Sequence, residues 1–238
     1  MDIITEALVL RAADYGENDR ILTLLTATEG KITAGIKGVR KAGAKLKYAA
    51  QPFCFAQYSL VQKGGRYTVT NCSECESFYD LRQDIVKYYA GCVVLEVAGN
   101  LTYEGADCTE MLLRCVKTLT ALCQGDETAV IMYMMDTLRD AGYGLLPDRC
   151  EVCGKPLVDA DKLRIDMDTG AFTCYDCGDG IGTSGSTYNL LRSLDGRSCD
   201  ESRINDDARK RALKLIRRYA SYKMGMEIKS LDEYIRLL

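Results

Sequence analysis

Cys150-x-x-Cys153 and Cys174-x-x-Cys177, with 20 residues between the two pairs, constrain this chain more than any other feature. The spacing is that of a two-knuckle metal site. Each Cys-x-x-Cys turn lets two thiolates face one ion, and two such turns complete a tetrahedron, the geometry in which zinc is usually held. A glycine follows both Cys153 and Cys177 and suits the tight backbone of a knuckle. Four sulfur ligands leave no open position for a catalytic water, so the site reads as structural. Two disulfides, or unrelated thiols, are the competing reading. Zinc binding at such sites contributes about 10–16 kcal/mol, enough to hold an excursion of roughly 30 residues that lacks a core of its own.

The rest of the residue inventory excludes more than it assigns. There is no histidine among the 238 residues, which removes Ser-His-Asp and Cys-His catalysis and any histidine-ligated metal. Twelve cysteines would suit a secreted disulfide scaffold, but such scaffolds are small chains without a core. With 47 % hydrophobic residues this chain can bury one. Cys54, Cys92, Cys108, Cys115, Cys123 and Cys199 therefore read as small buried apolar residues in a reduced compartment. Cys72-x-x-Cys75 closes a strand-rich region beside Glu74 and Glu76, not the helix start that a redox pair requires. Gly180-x-Gly182-x-x-Gly185 spells a dinucleotide fingerprint but follows a metal knuckle instead of a parallel strand. No carboxylate pair stands out, so no catalytic residue is assigned. No stretch approaches the roughly 20 apolar residues of a membrane span, and the first residues lack the signal-peptide pattern. The expected location is cytoplasmic.

Residues 1–75 read as strands. Short β-prone runs lie at about Ile3–Arg11, Arg20–Thr26, Lys31–Lys37, Phe53–Val61 and Arg66–Asn71, with turns at Thr28-Glu29-Gly30 and Lys63-Gly64-Gly65. Five short strands with glycine turns suggest a small barrel, of OB type or the SH3-like alternative. From about Asp80 the period changes to that of helices. Three are expected: one over Asp80–Tyr103, one opened by an Asp107/Glu110 capping box, and one capped by Asp126, together forming a bundle. Cysteines, glycines and aspartates then interrupt the pattern, and a basic helix follows over about Asp206–Met224. The expected fold class is α+β: a five-stranded OB-fold barrel (1–79), then a helical domain (80–238) carrying an inserted four-cysteine zinc module at about 147–182.

The formal net charge is −3, which argues against a polyanion partner. Its distribution argues the other way. No Asp or Glu occurs from Gly30 to Ser73, a stretch holding Lys31, Lys37, Arg40, Lys41, Lys45, Lys47, Lys63 and Arg66. Binding responds to the local field, not to the sum. Within Lys37–Lys47 the cations alternate with small residues, which lets a phosphate approach while long side chains wrap it. Tyr48, Phe53, Phe55, Tyr58 and Tyr67 are close in sequence; most are expected in the barrel core, and some could stack on bases. The basic C-terminal helix fits a solvated face as well as a second DNA or protein surface.

Tyr15-Gly16-Glu17-Asn18-Asp19-Arg20-Ile21-Leu22, Leu25-Thr26-x-x-x-Gly30-Lys31, Ile36-Lys37-Gly38-Val39-Arg40 and Gln51-Pro52-Phe53 resemble the opening of RecO-family proteins. Leu146-x-x-x-Cys150-x-x-Cys153-Gly154 with Cys174-x-x-Cys177 is similar to that family's zinc module, and Glu227-x-Lys229-Ser230-Leu231 to its end. The resemblance runs in order over most of the chain. It implies an N-terminal OB domain and a helical domain with the zinc module. It also implies binding of single- and double-stranded DNA, annealing of complementary strands, and a complex with RecR that helps load RecA onto strands covered by single-stranded-DNA-binding protein. A cytoplasmic, nucleoid-associated location goes with it. By position Lys37, Arg40 and Lys41 match the family's basic segment. Arg20, Lys31, Lys45 and Lys47 are neighbouring candidates. Ile36-Lys37-Gly38-Val39-Arg40-Lys41 departs from the family's frequent Ala-Lys-Gly-Ala-Arg-Arg but keeps its charge.

Two other functions remain open on the residues alone. One is a thiol-disulfide oxidoreductase using a Cys-x-x-Cys pair, which would be metal-free. The other is a protein scaffold that docks through the zinc module and binds no DNA.

Overall fold

The computed structural model describes residues 2–145, 148–196, 202 and 205–238. Leu146, Cys199 and the side chain of Cys75, used in the sequence reading, lie outside that description. By packing, the chain divides into two compact units, 1–126 and 127–238.

Unit one opens with β1 (Asp2–Tyr15), β2 (Asp19–Thr26), β3 (Lys31–Ile36), β4 (Phe55–Lys63) and β5 (Arg66–Glu76). They close into a barrel in the order β1-β2-β3-β5-β4. The β3–β5 pair is parallel and the others antiparallel. This is an OB-like barrel, as the five runs suggest. Inward positions alternate along each strand, as the two-residue period of a strand requires. Leu22, Leu24, Ile32, Ala34, Ile36, Tyr58 and Leu60 form the core. A register shift between Val9 and Arg11 bends β1, which lets one strand pair with both β2 and β4 around the closure.

After β5, a single 3₁₀ turn (Tyr79–Arg82) precedes α1 (Ile85–Leu101). The helix therefore starts later than the expected Asp80. Phe78 adopts a left-handed conformation (φ 47°) that halts the chain, and Asp84 provides the cap by accepting from Val86 N and Lys87 N. Thr109–Cys123 forms α2, which packs on α1. At its start Asp107 accepts from Thr109 N at 3.0 Å, and this bond holds the Asp107 carboxyl below the usual carboxylate range.

Unit two begins with α3 (Ala129–Asp140), whose N-cap is Thr128, not the expected Asp126. It packs against the later helix α5. A three-stranded sheet follows, ordered β7-β6-β8, from β6 (Lys162–Ile165), β7 (Phe172–Cys174) and β8 (Ile181–Ser184). Then come α4 (Gly185–Leu194), α5 (Asp206–Met224) and α6 (Lys229–Leu237). The sheet is not coreless. Leu157, Leu163, Ile165 and Phe172 are fully buried, and Phe172 meets the Tyr188 ring of α4 edge-on at 5.2 Å between centroids. Metal is therefore not the only support of this segment. Glycines 180 and 185 of the fingerprint-like run have a packing explanation: a Cβ would stand 2.1 Å from Ile165 O and 1.9 Å from Ala160 O respectively. No helix of the described residues is long and apolar enough to cross a membrane.

Candidate metal centre and nucleic-acid interface

Two turns bring the four expected cysteines together. Cys150 lies in a turn closed by Gly154 N donating to Cys150 O at 2.8 Å, with Gly154 at φ 70°, a conformation glycine adopts at little cost. Cys174 ends β7, and Cys177 N donates to Cys174 O at 3.1 Å. Gly178 leaves room where a Cβ would stand 2.6 Å from Thr173 Oγ1.

The four sulfurs all lie within 4.8 Å of one another, and Cys153 Sγ is 3.7 Å from Cys174 Sγ. A tetrahedral ion with sulfur ligands at about 2.3 Å spaces them about 3.8 Å apart. A disulfide needs about 2.05 Å. The donor set and spacing fit a metal ion and not a disulfide. Cys150 is buried and Cys153 exposed, with Cys174 and Cys177 between. Burial raises the Cys150 thiol, but N–H groups of Cys153, Cys174 and Val152 aimed at its sulfur outweigh this and bring it to about 6. Burial and the neighbouring sulfurs push Cys174 up to about 12. Sulfurs this close compete for positive charge, which a bound cation supplies to all of them. Among the described residues no other cysteine joins this centre. Cys54, Cys72, Cys108 and Cys115 are buried, whereas Cys92 and Cys123 are only half-buried.

The acid-free cationic segment forms the connection from β3 to β4. Successive three-residue turns shape it: Lys41 N donates to Gly38 O, Ala44 N to Lys41 O, Lys47 N to Ala44 O and Ala49 N to Leu46 O. Val39, Ala49 and Ala50 sink into the barrel core, with Leu46 packed on it. The segment is pinned to the β1–β2 turn by Gly38 N donating to Asp19 Oδ1 at 2.7 Å and Arg40 N to Asn18 O at 3.0 Å. The apolar anchors face inward, and Lys37, Arg40, Lys41, Lys45 and Lys47 are left exposed. A loop fixed this way presents its cations with little backbone freedom left to lose on binding.

The candidate cations differ in what already engages them. Among the described residues Lys37, Lys41, Lys45 and Lys47 have no acidic partner. Arg40 bridges to Asp14 at 3.2 Å and donates to Gly16 O at 3.1 Å. Arg20 is held more firmly, by Asp14 at 2.9 Å and by Ala50 O at 2.9 Å. Lys31 Nζ donates to Gly99 O in the last turn of α1, where a cation offsets the negative end of the helix dipole. The aromatics are mostly core, as expected: Phe53, Tyr58 and Tyr67 are buried, Tyr58 donating to Ala49 O at 2.7 Å. Tyr48 stays partly exposed and donates to Cys72 O at 3.0 Å. The β4–β5 hairpin adds Lys63 and Arg66, directly opposed across the strands and both exposed. The sequence pointed to them only as part of the acid-free stretch.

Comparison with known proteins gives a consistent result. The family model described as "Recombination protein O N terminal" matches residues 1–78, and that described as "Recombination protein O C terminal" matches residues 82–232. A "DNA repair protein RecO" of Heliobacterium modesticaldum is 36 % identical over 66 % of this chain and 58 % of its own length. Another, of Myxococcus xanthus, is 27 % identical over 95 % of this chain and 94 % of its own. A third, of Moorella thermoacetica, is 30 % identical over 79 % of this chain and 69 % of its own.

Proposed function

This chain belongs to the recombination protein O family, and from that premise we propose that it serves DNA repair without bond-making chemistry. It holds DNA on the cationic loop of its barrel and brings complementary strands together. The observation that carries this reading is the pinned β3–β4 loop, with Val39, Ala49 and Ala50 inside and Lys37, Lys41, Lys45 and Lys47 outside. Two strands of like charge repel, and a cationic surface that holds both lowers that barrier. Lys37, Arg40, Lys41, Lys45 and Lys47 are the contacts to phosphate; Arg20 and Lys31 brace the surface from behind. Residues 1–79 are the nucleic-acid-binding domain and 80–238 the helical one.

The four-cysteine centre takes zinc in this reading, one ion per chain. All four sulfurs come from protein and none of the positions is open, so the ion braces the fold and activates nothing. The partners that go with the family reading are single- and double-stranded DNA, RecR, and single-stranded-DNA-binding protein, with RecA served indirectly. The setting is the cytoplasm, at the nucleoid. What favours an ion over the alternative thiol-disulfide oxidoreductase is the convergence of four sulfurs, where a redox dithiol needs only two. The test is annealing of two complementary oligonucleotides, one carrying a fluorophore and the other a quencher. Acceleration by the full-length protein supports the reading; the uncatalysed rate at every protein concentration refutes it.

A further inference from the structure

Unit two carries a cationic surface of its own. A groove of about 480 Å³ runs between β8 and α5, and among the described residues no carboxylate lines it. Its rim carries Lys162, Arg211, Lys214 and Arg218. Residues 211, 214 and 218 stand on one face of α5 because helix neighbours recur every three to four positions. At 1.5 Å rise per residue they span about 10 Å, the axial length of about three phosphates of a strand stacked as in a duplex. Arg211 is partly engaged, with Asp207 at 3.5 Å and Ser186 Oγ at 3.0 Å. Lys162, Lys214 and Arg218 are exposed and have no acidic partner among the described residues. Elsewhere on α5 and α6 the arginines Arg209, Arg217 and Arg236 are matched, with Glu127, Asp232 and Glu233 respectively. Three unmatched cations around one groove raise the cost of the free state through mutual repulsion, and a polyanion removes that cost.

The groove also holds an aromatic surface. Tyr175 lines it and is 45 % exposed. Its ring is fixed by Arg164, whose guanidinium carbon lies 4.3 Å from the ring centroid. Arg164 is itself tied to Tyr175 O at 2.8 Å and Gly180 O at 3.0 Å. At Gly182 the missing side chain keeps the ring edge clear, since a Cβ there would already touch Tyr175 Cε2 at 4.0 Å. Leu215 adds apolar floor. Phosphates alone would need only the cations. A held, exposed ring over an apolar floor adds a surface on which an unpaired base stacks, worth about 1–3 kcal/mol per base at sites of this kind.

We propose that the groove between β8 and α5 is a second binding site for single-stranded nucleic acid, with phosphates on Lys162, Lys214 and Arg218 and a base against Tyr175. The proposal rests on the annealing reading given above and gives it a second place to hold a strand. An acidic peptide would satisfy the cations but makes no use of the ring.

The experiment is photo-cross-linking of a 4-thiothymidine-containing oligothymidylate to the full-length protein, followed by peptide mapping. It is paired with the salt dependence of binding for the parent chain and for K214A/R218A. Both side chains are exposed, and unchanged thermal melting will confirm that the double variant is folded. The proposal expects cross-links within residues 172–184 as well as in the barrel. It also expects their loss in K214A/R218A, and a salt slope shallower by about 1.4 at 0.7 per phosphate contact. Cross-links confined to barrel peptides, with the parent slope kept by the double variant, would overturn it while leaving the annealing reading intact. Binding of a Glu/Asp-rich peptide that K214A/R218A abolishes, without any oligonucleotide cross-link in 172–184, would give the groove to a peptide and overturn it too. Failure of the parent chain to bind the oligonucleotide at low salt would bring down the annealing reading as well.

Discussion

Cys153 and Cys174 lie 21 positions apart in sequence, yet their sulfurs stand 3.7 Å from each other. That separation is set by two knuckles and a three-stranded sheet, and it fits an ion between the sulfurs. The purified protein should contain about one zinc per chain by elemental mass spectrometry. Cys153 is the exposed member of the four, so C153S removes a ligand without opening a core cavity. It should lose the metal and become sensitive to proteolysis at the knuckles, about residues 150–154 and 174–178, while the barrel keeps its resistance. The metal needs thiolates, so protons compete with it: it is retained at neutral pH and released as pH falls. Full zinc retention by C153S at neutral pH would refute the assignment.

Lys31 tests the difference between a bracing cation and a contacting one. Its ammonium group holds the C-terminal end of α1 through Gly99 O. K31A should cost about 1–2 kcal/mol in denaturant unfolding. Its salt slope for oligonucleotide binding should match that of the parent chain. A slope change with unaltered stability would place Lys31 on the DNA instead.

Gly30 is at φ 70°, and a Cβ there would stand 2.1 Å from Tyr103 O. The atom in the way is backbone, bound also by Lys31 N at 3.1 Å, so it does not swing aside. G30A should destabilise unit one by at least about 2 kcal/mol, read as a lowered denaturant midpoint. A neutral substitution would show that the segment after α1 yields easily.

The contrast between Gly30 and Phe78 shows what sequence can reveal. Gly30 after Thr28-Glu29 announces a turn because glycine favours positive φ, and the five strands follow from runs punctuated in this way. Phe78 also takes a positive φ, imposed by the packing of its buried ring, and no local preference signals it; hence the late start of α1. Similarly, β1 runs on to Tyr15 through Arg11-Ala12-Ala13-Asp14, residues with little strand propensity, because β2 supplies partners for them. The four cysteines were legible because their spacing carries the chemistry. The β3–β4 cations were legible as a cluster, but their ranking was not. Asp14, which engages both Arg20 and Arg40, is distant in sequence from Arg40, so no local pattern pairs them. The groove of unit two was equally hidden, since Lys162 and Tyr175 come to α5 only through the sheet.

The central claim is that the β3–β4 loop meets polynucleotide phosphates, and the slope of log affinity against log salt tests it most directly. Lys37, Lys41 and Lys45 are exposed without acidic partners among the described residues, so K37A/K41A/K45A should fold as the parent chain does. For a labelled single strand, its slope should be shallower by about 2, at 0.7 per phosphate contact. A triple variant that is folded and binds with the parent affinity and the parent slope would contradict the account.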